Sequence, residues 1–267
     1  MENSFFVKLE FKLYIRLLYC LLLNLGLIFS LNQLNAQKDI KDSSISMSII
    51  TAGYTFDLPG GNLAERFGWN SYASIGYTYK TDKNLIFGIS GGYIFGDQVK
   101  ETDVLSNITN QDGYIIGSDG HYADVIMYER GFEVTLNAGK MFPFKKPNPN
   151  SGIMLMGGIG FLEHQIYFED YTRNVPEIDG DYTKGYDRLT NGIAFYQTGR
   201  YMHLGNKHLI NYYIGFELTE GFTENRRPLN FDTMEKDNTK RIDILYGLTI
   251  GWLLPVYRRA PNAYYYY

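Results

Sequence analysis

Apolar and polar residues alternate along several stretches of the chain, as they do in a strand with one face toward lipid. In the clearest stretch every second residue from Ile242 to Leu254 is apolar or aromatic, whereas Arg241, Asp243 and Thr249 share the opposite face. Such alternation predicts strands with one lipid-facing side and one polar side. Three more stretches repeat the pattern with few exceptions, at residues 69–80, 128–139 and 210–219.

Four further stretches alternate with interruptions, at residues 47–57, 85–95, 153–168 and 193–202. In the third of them Ile153 and Ile159 share an apolar face, but Glu163 and Gln165 continue that face. We therefore expect this strand either to bulge or to leave the membrane near Phe161.

The segments between these stretches are alternately long and short. The long ones cover residues 58–68, 96–126, 170–190 and 221–239, and the shorter ones cover 81–84, 143–152 and 205–207. Bacterial barrels have long external loops, short periplasmic turns and an even number of strands. The pattern predicts an all-β fold, a transmembrane antiparallel β-barrel of about eight strands with long extracellular loops and short periplasmic turns.

The start of the chain has the order of a secretory signal. Lys8, Lys12 and Arg16 precede an apolar run at residues 17–31, and Ala36 offers a small residue for cleavage. We predict cleavage after Ala36 and export to the outer membrane. A retained helical anchor is the alternative, because the run is nearly long enough to span a bilayer. The predicted divisions are a signal peptide at 1–36, a short periplasmic segment at 37–45, the barrel at 46–257 and a tyrosine-rich tail at 258–267.

Composition narrows the functional classes. The 24 tyrosines, 17 phenylalanines and 28 glycines favour strands over a helical domain. A net charge of −4 argues against nucleic acid as a partner, because its phosphates require a basic surface. Cys20 is the only cysteine and lies in the predicted signal. The mature chain would therefore contain no disulfide, no thiolate zinc site and no cysteine nucleophile.

The chain resembles the small outer-membrane barrels of the OmpX and OmpA type. The Asn35-Ala36-Gln37 junction and the wealth of Tyr, Asn and Gly resemble members of that group from Bacteroidota. This resemblance covers residues 45–257 and implies a fold without implying an activity. Such barrels commonly end on an aromatic residue of the last strand, whereas this chain continues past Tyr257.

The polar faces of the predicted strands place charged side chains inside the barrel. An eight-stranded barrel is just wide enough for side chains to fill, so its internal charges must pair or form hydrogen bonds. We predict a network that plugs the lumen, made of Glu129, Glu133, Asn137, Arg200, Asn211, Glu217, Arg241 and Asp243. A path for protons or ions through the same residues is the alternative.

Candidates for catalysis are few. His164, near Glu163 at the outer end of its strand, is the most suitable acid–base group. Ser118, Asp119 and His121 lie together in the longest loop, but the members of a triad usually come from separate elements. The acidic loop clusters lack the spacing of a calcium-binding loop. We predict a protein that is not an enzyme and that uses no cofactor or metal.

The chain ends on four tyrosines that a plain barrel does not require, Tyr264, Tyr265, Tyr266 and Tyr267. They either anchor the chain at the membrane interface or form a docking peptide for another envelope protein. We predict a barrel in outer-membrane lipid that serves as a structural or accessory component of an envelope assembly, with its loops and tail as partner surfaces. A narrow channel for ions or small solutes and a membrane-embedded hydrolase are the alternatives.

Overall fold

The computed structural model describes residues 43–144, 146–206 and 210–257, so the predicted signal peptide and tail lie outside the described residues. Eight antiparallel strands, ordered as in the sequence, form a closed barrel. The predicted fold class, strand number and alternation of long and short connections are confirmed. The strands are β1 (Met47–Gly61), β2 (Asn70–Lys80), β3 (Leu85–Gly96), β4 (Val125–Pro143), β5 (Gly152–Asp170), β6 (Thr190–Leu204), β7 (Asn211–Asn225) and β8 (Lys240–Tyr257).

For strand β5 we expected either a bulge or an exit from the membrane near Phe161, and the structure contradicts the first of these. Its pairing with β4 is unbroken from Gly152 to Asp170, so the bulge expected near Phe161 is wrong. Glu163 and Gln165 remain on the outer face and are half-buried there. An exit from the membrane near Phe161 agrees better with the outer face, because β5 continues as a regular strand beyond the end of its apolar run.

The outward side chains of the strands form an apolar belt. Ile75, Phe216 and Leu248, from β2, β7 and β8, each expose more than half of their surface. On β4 the belt lies between two outward cations, Arg130 toward the long loops and Lys140 toward the turns. A closed barrel satisfies its backbone hydrogen bonds internally, as the hydrocarbon interior of a bilayer requires. The belt and the closed sheet together are those of a transmembrane barrel.

Tyr213 occupies the middle of the lumen and is almost completely buried. It lies against Gly53 of β1 and Gly251 of β8, where an added Cβ would come within 2.0 Å and 2.3 Å of Tyr213 atoms. On another side Cζ of Arg200 lies 4.5 Å from the centroid of the tyrosine ring. The two glycines therefore make room for an aromatic side chain that fills the lumen.

The residues that precede β1 are fastened to the turn between β4 and β5, on the opposite side of the strand ring. The backbone N–H of Ile45 donates to Oδ1 of Asn150 (2.9 Å), and Nδ2 of Asn150 donates to the carbonyl of Ser43 (2.9 Å). Nζ of the buried Lys80 donates to Oδ1 of Asn150 and to the carbonyl of Ile45, both at 3.1 Å. These bonds hold chain segments across the turn end of the barrel.

Four loops cover the other end. We name them L1 (62–69), L2 (97–124), L3 (171–189) and L4 (226–239), and together they form the loop cap. None of the helices in the described ranges is long and apolar enough to cross a bilayer. The helices are all short, namely α1 (Leu63–Arg66) in L1 and 3-10 helices at Thr102–Ile108, Pro176–Ile178 and Gly180–Gly185.

Candidate binding surface on the loop cap

A chain of ion pairs joins the four loops of the cap. Nε of Arg66 in L1 lies 2.9 Å from Oε2 of Glu101 in L2, and Nε of Arg188 in L3 lies 3.1 Å from Oε1 of the same carboxylate. Nη2 of Arg188 lies 2.6 Å from Oδ2 of Asp232 in L4. Both arginines are buried, and hydrogen bonds between charged groups are the strong ones. Four side chains thus connect all four loops.

Three further contacts strengthen the junction of L2, L3 and L4. Nε of Arg227 in L4 donates to Oδ1 of Asp187 in L3 at 2.8 Å. Nδ2 of Asn107 in L2 donates to the hydroxyl of Tyr186 (3.0 Å) and to the carbonyl of Phe231 (3.1 Å). L2, L3 and L4 are therefore each held by polar contacts to more than one neighbouring loop.

Below these polar contacts the cap and the upper barrel share one apolar core. Burial of each large aliphatic or aromatic side chain stabilises such a core by about 1.5–3 kcal/mol. Residues from L1, L2 and L3 pack there with inward residues of the strands. The core comprises Leu63, Phe67, Tyr72, Ile94, Val104, Leu105, Ile115, Leu162, Ile166, Phe168, Val175, Ile178, Tyr186, Ala194 and Leu245.

His164 points into the barrel between two residues of this core, Leu162 and Ile166. Its Nε2 lies 2.9 Å from Oδ2 of Asp243, and the Thr223 hydroxyl donates to the same carboxylate oxygen. The ring of Phe67 packs edge-on at a centroid distance of 5.7 Å. In a catalytic triad the hydroxyl forms its hydrogen bond with the imidazole, whereas here the Thr223 hydroxyl forms it with the Asp243 carboxylate. The arrangement therefore ties β5, β7 and β8 together and does not prepare a nucleophile.

Two of the predicted lumen residues, Arg200 and Glu217, form an ion pair in the centre of the barrel. Oε2 of Glu217 also accepts from the hydroxyl of Thr55 at 3.4 Å. Arg200 donates through Nε to the Thr198 hydroxyl at 3.0 Å and contacts the Tyr196 hydroxyl through Nη2. This group connects β6, β7 and β1 through the lumen.

Three predicted residues on β4 are buried in the lumen. Oε2 of Glu129 accepts from Nδ2 of Asn70 at 2.9 Å, and Nδ2 of Asn137 donates to the Ser90 hydroxyl at 3.3 Å. Glu133 lies between them on the inner face. The carboxylate of Glu129 thus has an amide donor on β2.

The remaining predicted residues lie near the ends of the barrel. Arg241 contacts Asp237 of L4, and Asp243 belongs to the His164 group beneath the cap. At the turn end Oδ1 of Asn211 accepts from the backbone N–H of Gly205 at 3.0 Å. Seven of the eight predicted residues therefore take part in these polar contacts, at three levels of the barrel, and Glu133 is buried on the inner face of β4.

Ser118, Asp119 and His121 form a turn at the surface of L2. Oδ1 of Asp119 accepts from the backbone N–H of His121 (3.0 Å) and from Nδ2 of Asn174 (2.9 Å). The backbone N–H of Ser118 donates to the carbonyl of Asn174 at 2.8 Å. These bonds fix L2 to L3. Among the described residues, no group of three or more His, Cys, Asp or Glu side chains is arranged to hold a metal ion.

The outer surface of the cap contains an apolar cleft of about 480 Å³ between L3 and L4. Phe231 and Tyr186 form part of its wall, with their rings edge-on at 5.5 Å. Tyr182 and Met234 stand at the cleft with 65% and 70% of their surface exposed. The cleft thus combines an ordered wall with exposed apolar side chains. Its lining comprises Asn107, Pro176, Glu177, Tyr182, Tyr186, Leu229, Phe231 and Met234.

A second exposed feature is a small antiparallel meander at residues 109–122, the L2 meander. Thr109 pairs with Ile115, and Ile116 pairs with Tyr122. Ile115 is buried in the cap core, so the meander is anchored from below. It therefore presents its opposite face to solvent.

Sequence reasoning missed the residues that organise the cap. Arg66, Glu101, Arg188 and Asp232 were visible only as charged loop residues, which are usually solvated. Their partners are distant along the chain, so no local spacing indicated the ion pairs.

No protein-family model matches the chain, and no curated protein matches it. Among solved structures, it is similar to the crystal structure of Ail, the attachment invasion locus protein of Yersinia pestis. That similarity has a TM-score of 0.40 and 9% sequence identity, over 79% of this chain and 99% of Ail. The structure of Ail in complex with the heparin analogue sucrose octasulfate gives a TM-score of 0.37 and 10% identity over the same shares.

Proposed function

We propose that this protein is a non-enzymatic outer-membrane barrel whose loop cap is a preformed binding surface for another envelope protein. It would act as a structural or accessory component of an envelope assembly. The observation that carries the proposal is the connection of all four loops through Arg66, Glu101, Arg188 and Asp232. Loops on a rigid scaffold are common sites of binding, and these loops are themselves held in one arrangement.

Energetics support this interpretation of the ion pairs. Buried ion pairs add little net stability compared with apolar packing, but in some proteins they select one arrangement. A surface that is ordered before binding loses less conformational entropy when a partner binds. The linked arginines of the cap would therefore favour binding more than they favour folding.

The cleft between L3 and L4 is the proposed contact site. Binding energy is usually concentrated in a few aromatic or large apolar residues surrounded by a polar rim. Tyr182 and Met234 provide exposed apolar surface beside the ordered Phe231, and Glu177 provides a polar group at the same cleft. An apolar side chain of the partner would fill the space between them.

Site-specific photocrosslinking in intact envelopes tests this proposal. We expect a crosslinker at Met234 to capture one protein reproducibly, and Tyr182→Asp to abolish the capture because it places a charge in the cleft. The control position is Glu65, which is exposed on L1. Equal capture from both positions, or none from Met234, would contradict the proposal.

The side chains inside the barrel favour a role as a scaffold rather than as a channel. Tyr213 and the Arg200–Glu217 pair occupy the centre, and Lys80 and Asn150 hold the turn end. We expect the purified barrel to give no steady conductance in planar bilayers. Steady single-channel openings would favour the channel alternative.

The tyrosine-rich tail is proposed as a second partner surface, and this proposal rests on the sequence alone. Export directed by the predicted signal peptide is likewise proposed from the sequence alone. Deletion of residues 260–267 should remove a copurifying protein while the barrel still folds. Unchanged partners together with unchanged folding would contradict a docking role for Tyr264 to Tyr267.

A further inference from the structure

The L2 meander has an exposed aromatic face. Tyr114, Ile116 and Tyr122 expose 56%, 54% and 65% of their surface, and the centroids of the two tyrosine rings lie 4.9 Å apart. Ile116 is the backbone partner of Tyr122, so the three side chains lie together. Contiguous apolar surface of this kind on a soluble part of a protein is typical of an interaction site.

This face is ordered in the absence of a partner. Oδ1 of Asn110 accepts from the backbone N–H groups of Asp112 (3.0 Å) and Tyr114 (2.9 Å), which fixes the first turn of the meander. The buried Ile115 anchors the middle, and Asn174 of L3 holds the second turn through Asp119. A partner would therefore meet an aromatic pair that is already in place.

Within the segment that forms this face, the charged residues have one sign. Residues 109–124 include Asp112, Asp119 and Asp124, all exposed, and they include no lysine or arginine. The backbone N–H of His121, assisted by the amide of Asn174, holds the pKa of Asp119 below its ordinary value. The three aspartates together give the meander a negative potential.

We infer that the L2 meander binds an arginine-bearing segment of the partner protein, with a guanidinium over Tyr114 or Tyr122. The inference rests on the proposed function. It adds a second contact site on the cap and specifies the chemistry of the partner segment that binds there. A guanidinium fits both features, because it stacks on aromatic faces and also pairs with carboxylates. An acidic segment would meet repulsion from Asp112, Asp119 and Asp124.

Fluorescence anisotropy with the purified full barrel in detergent tests this inference. The probe is a fluorescein-labelled peptide of alternating arginine and glycine, and the reference is the same peptide with glutamate in place of arginine. We expect only the arginine peptide to bind. Combined Tyr114→Ala and Tyr122→Ala should weaken its binding by about tenfold, because the cation–π contact is lost.

Two charge variants separate the local carboxylates from the general charge of the protein. Asp112→Asn combined with Asp124→Asn should weaken binding and make it less dependent on salt, because screening acts on these charges. Glu65→Gln, at an exposed position on L1, should leave binding unchanged. Shifted mobility of the unheated barrel on denaturing gels checks that each variant is folded.

Equal binding of the glutamate peptide would overturn the inference, and so would unchanged binding by the double tyrosine variant. A lysine peptide that binds as tightly as the arginine peptide would overturn the assignment of a guanidinium. Crosslinking from Met234 tests the proposed function separately, because Tyr114 and Tyr122 do not line the cleft. Capture at Met234 without peptide binding would overturn only the present inference.

Discussion

Nε2 of His164 lies 2.9 Å from Oδ2 of Asp243, and both side chains are completely enclosed in the barrel. The two residues come from β5 and β8, which are not adjacent in the strand ring. The contact therefore crosses the lumen beneath the loop cap. A buried pair of this kind depends on both members, because removal of one leaves the other without its main partner.

His164→Ala should destabilise the barrel by about 3 kcal/mol, since it leaves the Asp243 carboxylate with the Thr223 hydroxyl alone. Unfolding by urea in lipid vesicles, followed by the fluorescence of Trp69 and Trp252, measures the change. His121→Ala, at an exposed loop position, is the matched control and should have little effect. Equal stability of the two variants would disprove the structural role of the His164–Asp243 contact.

Arg188→Ala should loosen the loop cap while leaving the strands intact, because Glu101 and Asp232 lose their shared partner. Limited proteolysis should then cut L2 or L4 at least several times faster than in the unmodified protein. Arg226→Ala removes an exposed ion pair with Glu224 and should change the cleavage rate little. Identical cleavage patterns for the two variants would show that the buried ion pairs do not order the cap.

Gly251→Ala should destabilise the barrel by about 1–3 kcal/mol, because the new Cβ would overlap the ring of Tyr213. Gly157→Ala adds the same methyl group where the nearest atom outside its neighbours is 3.8 Å away, so we expect almost no change. A second substitution, Tyr213→Leu, should recover part of the loss in Gly251→Ala. Without such recovery, the effect could not be attributed to the Tyr213 contact.

The contact between Asp237 and Arg241 should persist into strong acid. Burial acts to raise the pKa of Asp237, but the hydrogen bonds from Arg241 and from Thr239 outweigh it and lower the pKa from 3.8 to about 2. Because the folded-state pKa is depressed, the stabilisation is complete above about pH 4 and is lost as the pH falls toward 2. Carboxyl chemical shifts of Asp237 across this range, compared with the Arg241→Ala variant, measure it. A midpoint near 4 in both proteins would contradict the prediction.

The sequence by itself determined the barrel. Lipid on one side of a strand and a packed lumen on the other impose a two-residue period, which is visible from Ile242 to Leu254 without any knowledge of partners. The same period assigns Glu129 and Asp243 to the polar face, and the structure buries both side chains. The loop lengths also predicted the number of strands, because the connections on the two sides of a membrane differ in length.

Only the tertiary structure decided which side chains meet. The ion pair of Arg188 with Glu101 joins residues 87 positions apart, and the contact of His164 with Asp243 joins residues 79 positions apart. His164 was predicted as an acid–base candidate from its position near Glu163 at the outer end of its strand, but nothing in the sequence indicated that Asp243 of β8 would be its partner across the lumen. Periodicity specifies the side of a strand on which a residue lies, whereas contacts across the lumen and between loops depend on how the closed sheet and the folded loops bring distant segments together.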